Sequence, residues 1–241
     1  SDKYYIAAIN ANPDNLVARE RLYDLYLTQN KIDAAKNLAA ELEKSNPTAQ
    51  SLSYFKARNL EIEGKVKEAK EAYQTSVDTM PNFSPAFRRL GLIMLQQGDI
   101  AGGQDILQKA ISLDETDVTA RLALAQVALS RKDFGTAIDH TEKVLTKFPR
   151  QAKAHAIRAD ALLMKGDLAT ARKVFEAMIK DNPKDASTHF RLGILSEKEN
   201  DKEAAIKHYC DGLAVDDMVL LMAKRLGALI VDKDGKAAAV A

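Results

Sequence analysis

A proline recurs with a step of 34 residues along most of this 241-residue chain, and this spacing limits the possible folds more than any other feature. Proline lacks a backbone N–H and restricts the residue before it, so each one ends a helix or marks a turn. Self-similarity at a fixed step of this size is typical of a repeat architecture. The spacing is occupied by Pro13, Pro47, Pro81, Pro149 and Pro183, with acidic substitutes at Glu115 and Asp217.

Small side chains recur with the same step at two further positions. Glycine in a helix interior costs about 1 kcal/mol relative to alanine, so Gly193 needs a packing reason. Helix axes that cross at the close end of about 8–10 Å require such small residues. We therefore predict that another helix packs against the backbone of Gly193. The first position holds Ala57, Gly91, Ala125, Ala159, Gly193 and Gly227, with Tyr23 as an exception, and the second holds Ala35, Ala69, Gly103, Ala137, Ala171 and Ala205.

A third recurring position is rich in glycine and asparagine. These residues tolerate the left-handed backbone conformation that commonly ends a helix. The spacing thus predicts a first helix, a short turn, a second helix and a proline-marked turn in each unit. The position is occupied by Asn30, Gly64, Gly98, Lys132, Gly166, Asn200 and Asp234.

The residues at these recurring positions resemble those of the tetratricopeptide repeat family over nearly the whole chain. The resemblance implies an all-α fold, a right-handed superhelical solenoid of antiparallel helix pairs. Gly103 in place of alanine, Tyr23 in a small position and two acidic residues in place of proline depart from the pattern. The signature residues are Leu90, Gly91, Ala137, Pro149, Ala171, Pro183, Leu192, Gly193 and Ala205.

The period predicts a single solenoid segment of six complete units and two partial ones. Neither end shows the polar capping unit that solenoids usually need, which favours a segment of a longer protein. The expected bounds are 1–15 for the first partial unit, 16–49, 50–83, 84–117, 118–151, 152–185 and 186–219 for the complete units, and 220–241 for the last partial unit.

Charge and hydropathy argue against a nucleic-acid-binding protein and against a membrane-spanning one. The 35 basic and 34 acidic residues leave a net charge of +1, whereas nucleic-acid binders usually carry a strongly basic face. No apolar run approaches the roughly 18 residues of a membrane span. We expect a soluble chain in the cytoplasm or periplasm, with no nucleic-acid partner.

Nothing in the sequence predicts an active site, a cofactor or a metal site. No phosphate-binding, dinucleotide-binding, hydrolase or zinc-protease motif occurs. Cys210 lacks an adjacent base, and its neighbour His208 points to another helix face. His155 and His189 are equivalent positions one repeat apart, as His140 and His208 are two repeats apart. Equivalent positions lie about a helix diameter apart, roughly 10 Å, too far to share a zinc ion.

The resemblance implies that the first helices line a concave face and that a partner lies along it. Tyrosine and arginine are over-represented at binding hot spots, and arginine forks suit carboxylates. We therefore expect an acidic, partly apolar peptide or helix as the partner. The expected partner-binding residues on this face are Arg21, Tyr54, Phe55, Arg58, Arg88, Arg89, Phe190, Arg191, Lys224 and Arg225.

The function expected from these features is a non-catalytic protein–protein interaction scaffold. Two alternatives stay open: self-association through the ends of the array, and a regulatory arm of an enzyme whose catalytic domain lies outside this chain. Long arrays of this family in bacteria often belong to export or pilus machinery, which suggests a bacterial secretion or export assembly by analogy alone.

Overall fold

The computed structural model describes residues 2–46, 48–215 and 220–234, and within them it contains fourteen α-helices and no strand. Most helices have 13 or 14 residues, and adjacent ones are joined by short turns. The helices are α1 (Asp2–Ala11), α2 (Leu16–Thr28), α3 (Ile32–Ser45), α4 (Leu52–Ile62), α5 (Val66–Thr79), α6 (Ser84–Gln96), α7 (Ile100–Leu113), α8 (Val118–Ser130), α9 (Phe134–Lys147), α10 (Ala152–Lys165), α11 (Leu168–Asp181), α12 (Ala186–Lys198), α13 (Lys202–Leu213) and α14 (Leu220–Asp234).

The chain forms two compact units, Ser1–Ala120 and Arg121–Ala241. From α1 to α7 in the first unit, and from α9 to α14 in the second, consecutive helices pack against one another in sequence order, so successive helix pairs also contact each other. This is the all-α solenoid that the repeat spacing predicts. None of the helices in the described ranges is long and apolar enough to cross a membrane.

The turn inside each repeat uses the predicted left-handed residue. Asn30, Lys132 and Asn200 have φ between 56° and 63°, and Gly64, Gly98 and Gly166 have φ between 72° and 94°. Asp234 lies within α14 instead. The prediction of a left-handed turn with a 34-residue step is therefore confirmed at six of its seven positions.

An aspartate follows the left-handed residue in four repeats and caps the second helix. Each side chain accepts a hydrogen bond from a backbone N–H in the first turn of that helix, which satisfies one of the donors left open at a helix N-terminus. The capping residues are Asp99, Asp133, Asp167 and Asp201.

The described prolines that recur with the 34-residue step lie in the turns between repeats. Pro81 lies between α5 and α6, Pro149 between α9 and α10, and Pro183 between α11 and α12. Pro47 and Asp217 fall outside the described residues. The first helices of the expected units are α2, α4, α6, α8, α10, α12 and α14.

Gly193 lies at a close helix contact, as predicted. A Cβ atom added to Gly193 would lie 2.2 Å from Cε1 of Tyr209, which projects from α13 and is fully buried. Gly91 is equivalent, and a Cβ there would lie 2.7 Å from Cγ of Leu107. The small residues therefore allow the second helix to place a large side chain directly on the backbone of the first.

Replacing Gly193 by alanine should destabilise the chain by about 1–3 kcal/mol, because the buried Tyr209 ring has no room to move away. Gly227 is the matched control, since it occupies the same repeat position and an added Cβ would meet nothing within 4 Å. Gly227→Ala should be neutral or stabilise by up to about 1 kcal/mol. Urea unfolding followed by circular dichroism measures both, and equal effects at the two glycines would contradict the packing explanation.

Candidate partner-binding surface

The expected partner-binding residues of the first unit divide into an exposed, a half-buried and a buried set. Arg21 is exposed, and Arg88 and Arg89 are half-buried. Tyr54 and Phe55 are 0% exposed, and Arg58 is 1% exposed. The expectation that these three side chains face an open groove is therefore wrong, because they fill the space between neighbouring helices.

Arg58 is held between two aromatic rings and a carboxylate. Its guanidinium carbon lies 4.4 Å from the ring centroid of Tyr23 and 5.8 Å from that of Tyr54. Its Nη2 donates to Oδ1 of Asp24 at 2.6 Å, and its Nη1 donates to the Tyr54 hydroxyl at 3.2 Å. Tyr23, which breaks the small-residue column, is therefore part of the packing around this buried cation.

The buried cation and the phenol beside it influence each other. Burial alone would lower the pKa of Arg58, but the oxygen of Tyr54 and the Asp24 carboxylate outweigh burial and raise it. Burial raises the pKa of Tyr54 to about 12, although the Arg58 charge acts in the opposite direction. At neutral pH the pair is thus a charged guanidinium and a neutral phenol.

Arg88 and Arg89 extend the same set of contacts to a third first helix. Arg88 donates to Oε1 of Glu20 at 3.1 Å and to Oδ2 of Asp117 at 3.0 Å. Arg89 lies 3.5 Å from Oδ1 of Asp24 and 3.4 Å from Oε1 of Glu61. We call the seven charged residues the ionic network: Glu20, Asp24, Arg58, Glu61, Arg88, Arg89 and Asp117.

Two contacts of the ionic network skip a whole repeat. Arg88 and Glu20 are 68 residues apart, and Arg89 and Asp24 are 65 residues apart. Stacked helices lie about 10 Å apart, so α2 and α6 come this close only where the first helices converge. Within the first unit, side chains of α2 and α6 therefore meet across α4, and we expect the first helices to line the inner side of the curve.

The ionic network contradicts the reason for expecting an acidic partner in the first unit. Its three arginines are matched by four carboxylates, so its formal charge is −1 when all groups are ionised. Sequence reasoning identified the arginines and missed the carboxylates that hold them. Glu20 and Asp24 occupy the same repeat positions as Tyr54 and Arg58. The 34-residue spacing could therefore have indicated that these side chains meet.

The expected residues of the second unit are also engaged by neighbours. Arg191 donates to Oδ1 of Asp160 at 2.7 Å, and Arg225 donates to Oε2 of Glu197 at 2.6 Å. Phe190 is half-buried, with its ring centroid 6.0 Å from that of Tyr209. Lys224 is exposed. Arg191 and Arg225 thus form ion pairs between adjacent repeats.

The structure also brings two histidines together. One ring nitrogen of His189, one of His208 and a carboxylate oxygen of Asp211 lie within 4.8 Å of one another. The expectation that the histidines are too far apart for a shared ligand considered only equivalent positions in different repeats. His189 and His208 come instead from the two helices of one repeat, α12 and α13.

Arg58→Ala should destabilise the first unit by about 3 kcal/mol, because it removes a buried guanidinium from its contacts with Asp24 and opens a cavity between Tyr23 and Tyr54. Lys143→Ala is the control, since the Lys143–Asp139 pair on α9 is more than half exposed. Exposed pairs of this kind contribute at most about 0.5 kcal/mol. Denaturant unfolding compares the two, and a cost of Arg58→Ala no larger than the control's would show that the network adds little stability.

Tyr54 should make stability fall in alkaline solution. The unfolded chain releases this phenolic proton at an ordinary pKa of about 10, whereas the folded chain holds it until about 12. Between these values the folded state binds more protons, so the free energy of unfolding decreases as pH rises, by about 1.4 kcal/mol per pH unit for one proton. Below pH 10 this contribution is fully present.

Unfolding of the parent chain and of Tyr54→Phe, measured between about pH 9 and pH 12, tests this assignment. The free energy of unfolding of the variant should fall less steeply with pH, and the difference in slope should correspond to about one proton. A slope unchanged by the substitution would mean that Tyr54 already ionises in the folded chain.

Comparison with known proteins places this architecture in a family. Two tetratricopeptide repeat models match, one over residues 21–84 and one over residues 94–161 and 128–192. The human protein O-mannosyl-transferase TMTC3 is 24% identical over 224 residues, which cover 85% of this chain and 24% of that protein. The chain therefore spans about a quarter of that relative's length.

Solved structures show the same fold. The crystal structure of the APC/C hetero-tetramer Cut9–Hcn1 matches with a TM-score of 0.71 and 21% identity, covering 94% of this chain and 45% of that one. PilW, described as a widely conserved type IV pilus biogenesis factor, matches with a TM-score of 0.71 and 16% identity, covering 88% of this chain and 98% of that one. With its family models, its left-handed turns and its close helix contacts, the chain belongs to the tetratricopeptide repeat family.

Proposed function

We propose that this chain is a non-catalytic scaffold that binds a segment of another protein along the first helices of its first unit. The observation that carries this proposal is the ionic network, which fixes polar side chains from α2, α4 and α6 on the inner side of the curve. Groups held in place by their neighbours lose little conformational freedom when a partner binds. The network therefore offers a preorganised surface.

The partner that fits this surface carries both basic and acidic side chains. An acidic segment alone would compete with the carboxylates that already hold Arg88 and Arg89. Asp24 and Glu61 are about one-third exposed, so they can accept hydrogen bonds from a lysine or arginine of the partner. Exposed Arg21 offers a charge to a partner carboxylate. This refines the acidic, partly apolar partner expected from the sequence.

A helix or an extended peptide can supply this alternation of charge. One face of a helix recurs about every seven residues, roughly 10 Å along its axis, which is close to the distance between stacked helices. A place in a bacterial export or pilus assembly stays a prediction, since the likeness to PilW concerns the fold. The name of TMTC3 keeps an enzyme's non-catalytic arm as an alternative.

The proposed surface can be tested by capture of a partner from native cell extract, followed by affinity measurements with the purified partner. Arg21→Glu should weaken binding at least tenfold, because it reverses an exposed charge beside the network. Arg89→Gln should weaken it as well, because Asp24 and Glu61 lose one of the contacts that hold them in place. Lys109→Glu on the second helix α7 is the matched charge reversal away from this surface and should bind like the parent.

Circular dichroism must show that the variants are as helical as the parent chain. A partner that binds Arg21→Glu and Arg89→Gln as tightly as the parent would overturn the proposed surface. Loss of binding in Lys109→Glu alone would show that the binding site lies on the second helices.

A further inference from the structure

The last complete repeat contains three potential metal ligands that no other role explains. His189 belongs to α12, and His208 and Asp211 belong to α13, which packs against α12. The three ligand atoms lie within 4.8 Å of one another. His208 and Asp211 are three residues apart, so their side chains leave α13 from the same face.

The ring of His189 is oriented by a backbone carbonyl. Its Nε2 lies 3.2 Å from the carbonyl oxygen of Pro183, and since a carbonyl only accepts, Nε2 carries the proton. The lone pair of the neutral ring is therefore on Nδ1. His189 is only 7% exposed, and this Nδ1 atom is buried without a hydrogen-bond partner. A metal-binding histidine usually has this arrangement, with its other nitrogen donating to a carbonyl or carboxylate.

His208 has a second unsatisfied nitrogen. Its Nδ1 is also buried without a partner, and the two imidazole centroids are 5.9 Å apart. An unpaired buried nitrogen costs free energy, so two of them in neighbouring rings need an explanation. A cation bound by both Nδ1 atoms would satisfy both lone pairs at once.

We propose that His189, His208 and Asp211 form a binding site for a divalent transition-metal ion, with zinc as the representative. Two imidazoles and one carboxylate are a ligand set that suits zinc, and three protein ligands leave a fourth position for water or for a side chain of a partner. Ligands at about 2.0–2.1 Å from zinc lie roughly 3.3 Å apart, so the ligand atoms need to approach one another by at most about 1.5 Å on binding. Such a site links α12 to α13.

Charged neighbours of the site partly cancel. Arg172 on α11 and Lys207 on α13 are cations near His208, and Asp211 supplies the opposite charge. Arg172 is itself paired with Glu199 and Glu176, which limits its repulsion of a bound cation.

The experiment is a calorimetric titration of zinc chloride into the tag-free, chelator-treated 241-residue chain at neutral pH. The parent should bind one equivalent of zinc. His208→Gln and Asp211→Asn should each weaken that binding at least tenfold, and His189→Gln should do the same. His140→Gln is the matched control, because His140 occupies the position of His208 two repeats earlier and also has a buried, unpartnered Nδ1.

Thermal unfolding gives a second measurement that does not depend on the heat of binding. Zinc should raise the melting temperature of the parent and of His140→Gln, since a ligand that binds only the folded state stabilises it. It should leave His208→Gln and Asp211→Asn unchanged. The proposal is overturned if the parent binds no zinc, or if these two variants bind as tightly as the parent. It is also overturned if His140→Gln loses binding to the same extent.

Discussion

The close contact between the two helices of a repeat is the constraint on which the rest of this structure depends. At Gly193 the ring of Tyr209 lies directly on the helix backbone, and at Gly91 Leu107 does the same. This contact fixes how far apart the two helices lie and therefore where every longer side chain of the pair can reach. The left-handed residue and the capping aspartate before the second helix bring the chain into that contact repeatedly.

Stacking the pairs then decides which side chains meet across repeats. Equivalent residues lie too far apart for short groups, but arginine, tyrosine and glutamate are long enough to connect them. Arg58 to Asp24 and Tyr54 to Glu20 are both contacts at the 34-residue step. On the inner side of the first unit the distances are shorter still, so Arg88 reaches Glu20 two repeats away. The ionic network is thus a consequence of repeat spacing and curvature together.

Much of the fold could be predicted from the sequence because the repeat is local. Prolines, small residues and left-handed positions each act within one helix pair, and a 34-residue step repeats their effect. The partner-binding surface could not be predicted as well. Whether Tyr54 faces a groove or a neighbouring helix depends on the angle between repeats, and a residue list does not contain that angle. The same is true of Arg88, whose partner Glu20 lies two repeats earlier and whose partner Asp117 lies at the end of its own repeat.

The cluster of His189, His208 and Asp211 was missed in the sequence for a different reason. Aligning the repeats identifies residues at equivalent positions in different repeats. The ligands of this cluster come instead from different positions within one repeat. Two antiparallel helices meet at positions about equally far from the turn between them. His189 and Asp211 each lie eleven residues from Asn200, and His208 is one helical turn before Asp211. Reading the repeat as a folded hairpin therefore predicts this cluster.

Individual chemistry in this chain comes from the positions that break the repeat. Tyr23 replaces a small residue and becomes the platform for Arg58. The position of His208 is valine in the preceding repeat, at Val174, where His155 would otherwise have a matching partner. A regular repeat can supply only a regular surface. A site that recognises one partner or one ion needs neighbours that differ, and here these differences lie where two helices or two repeats already meet.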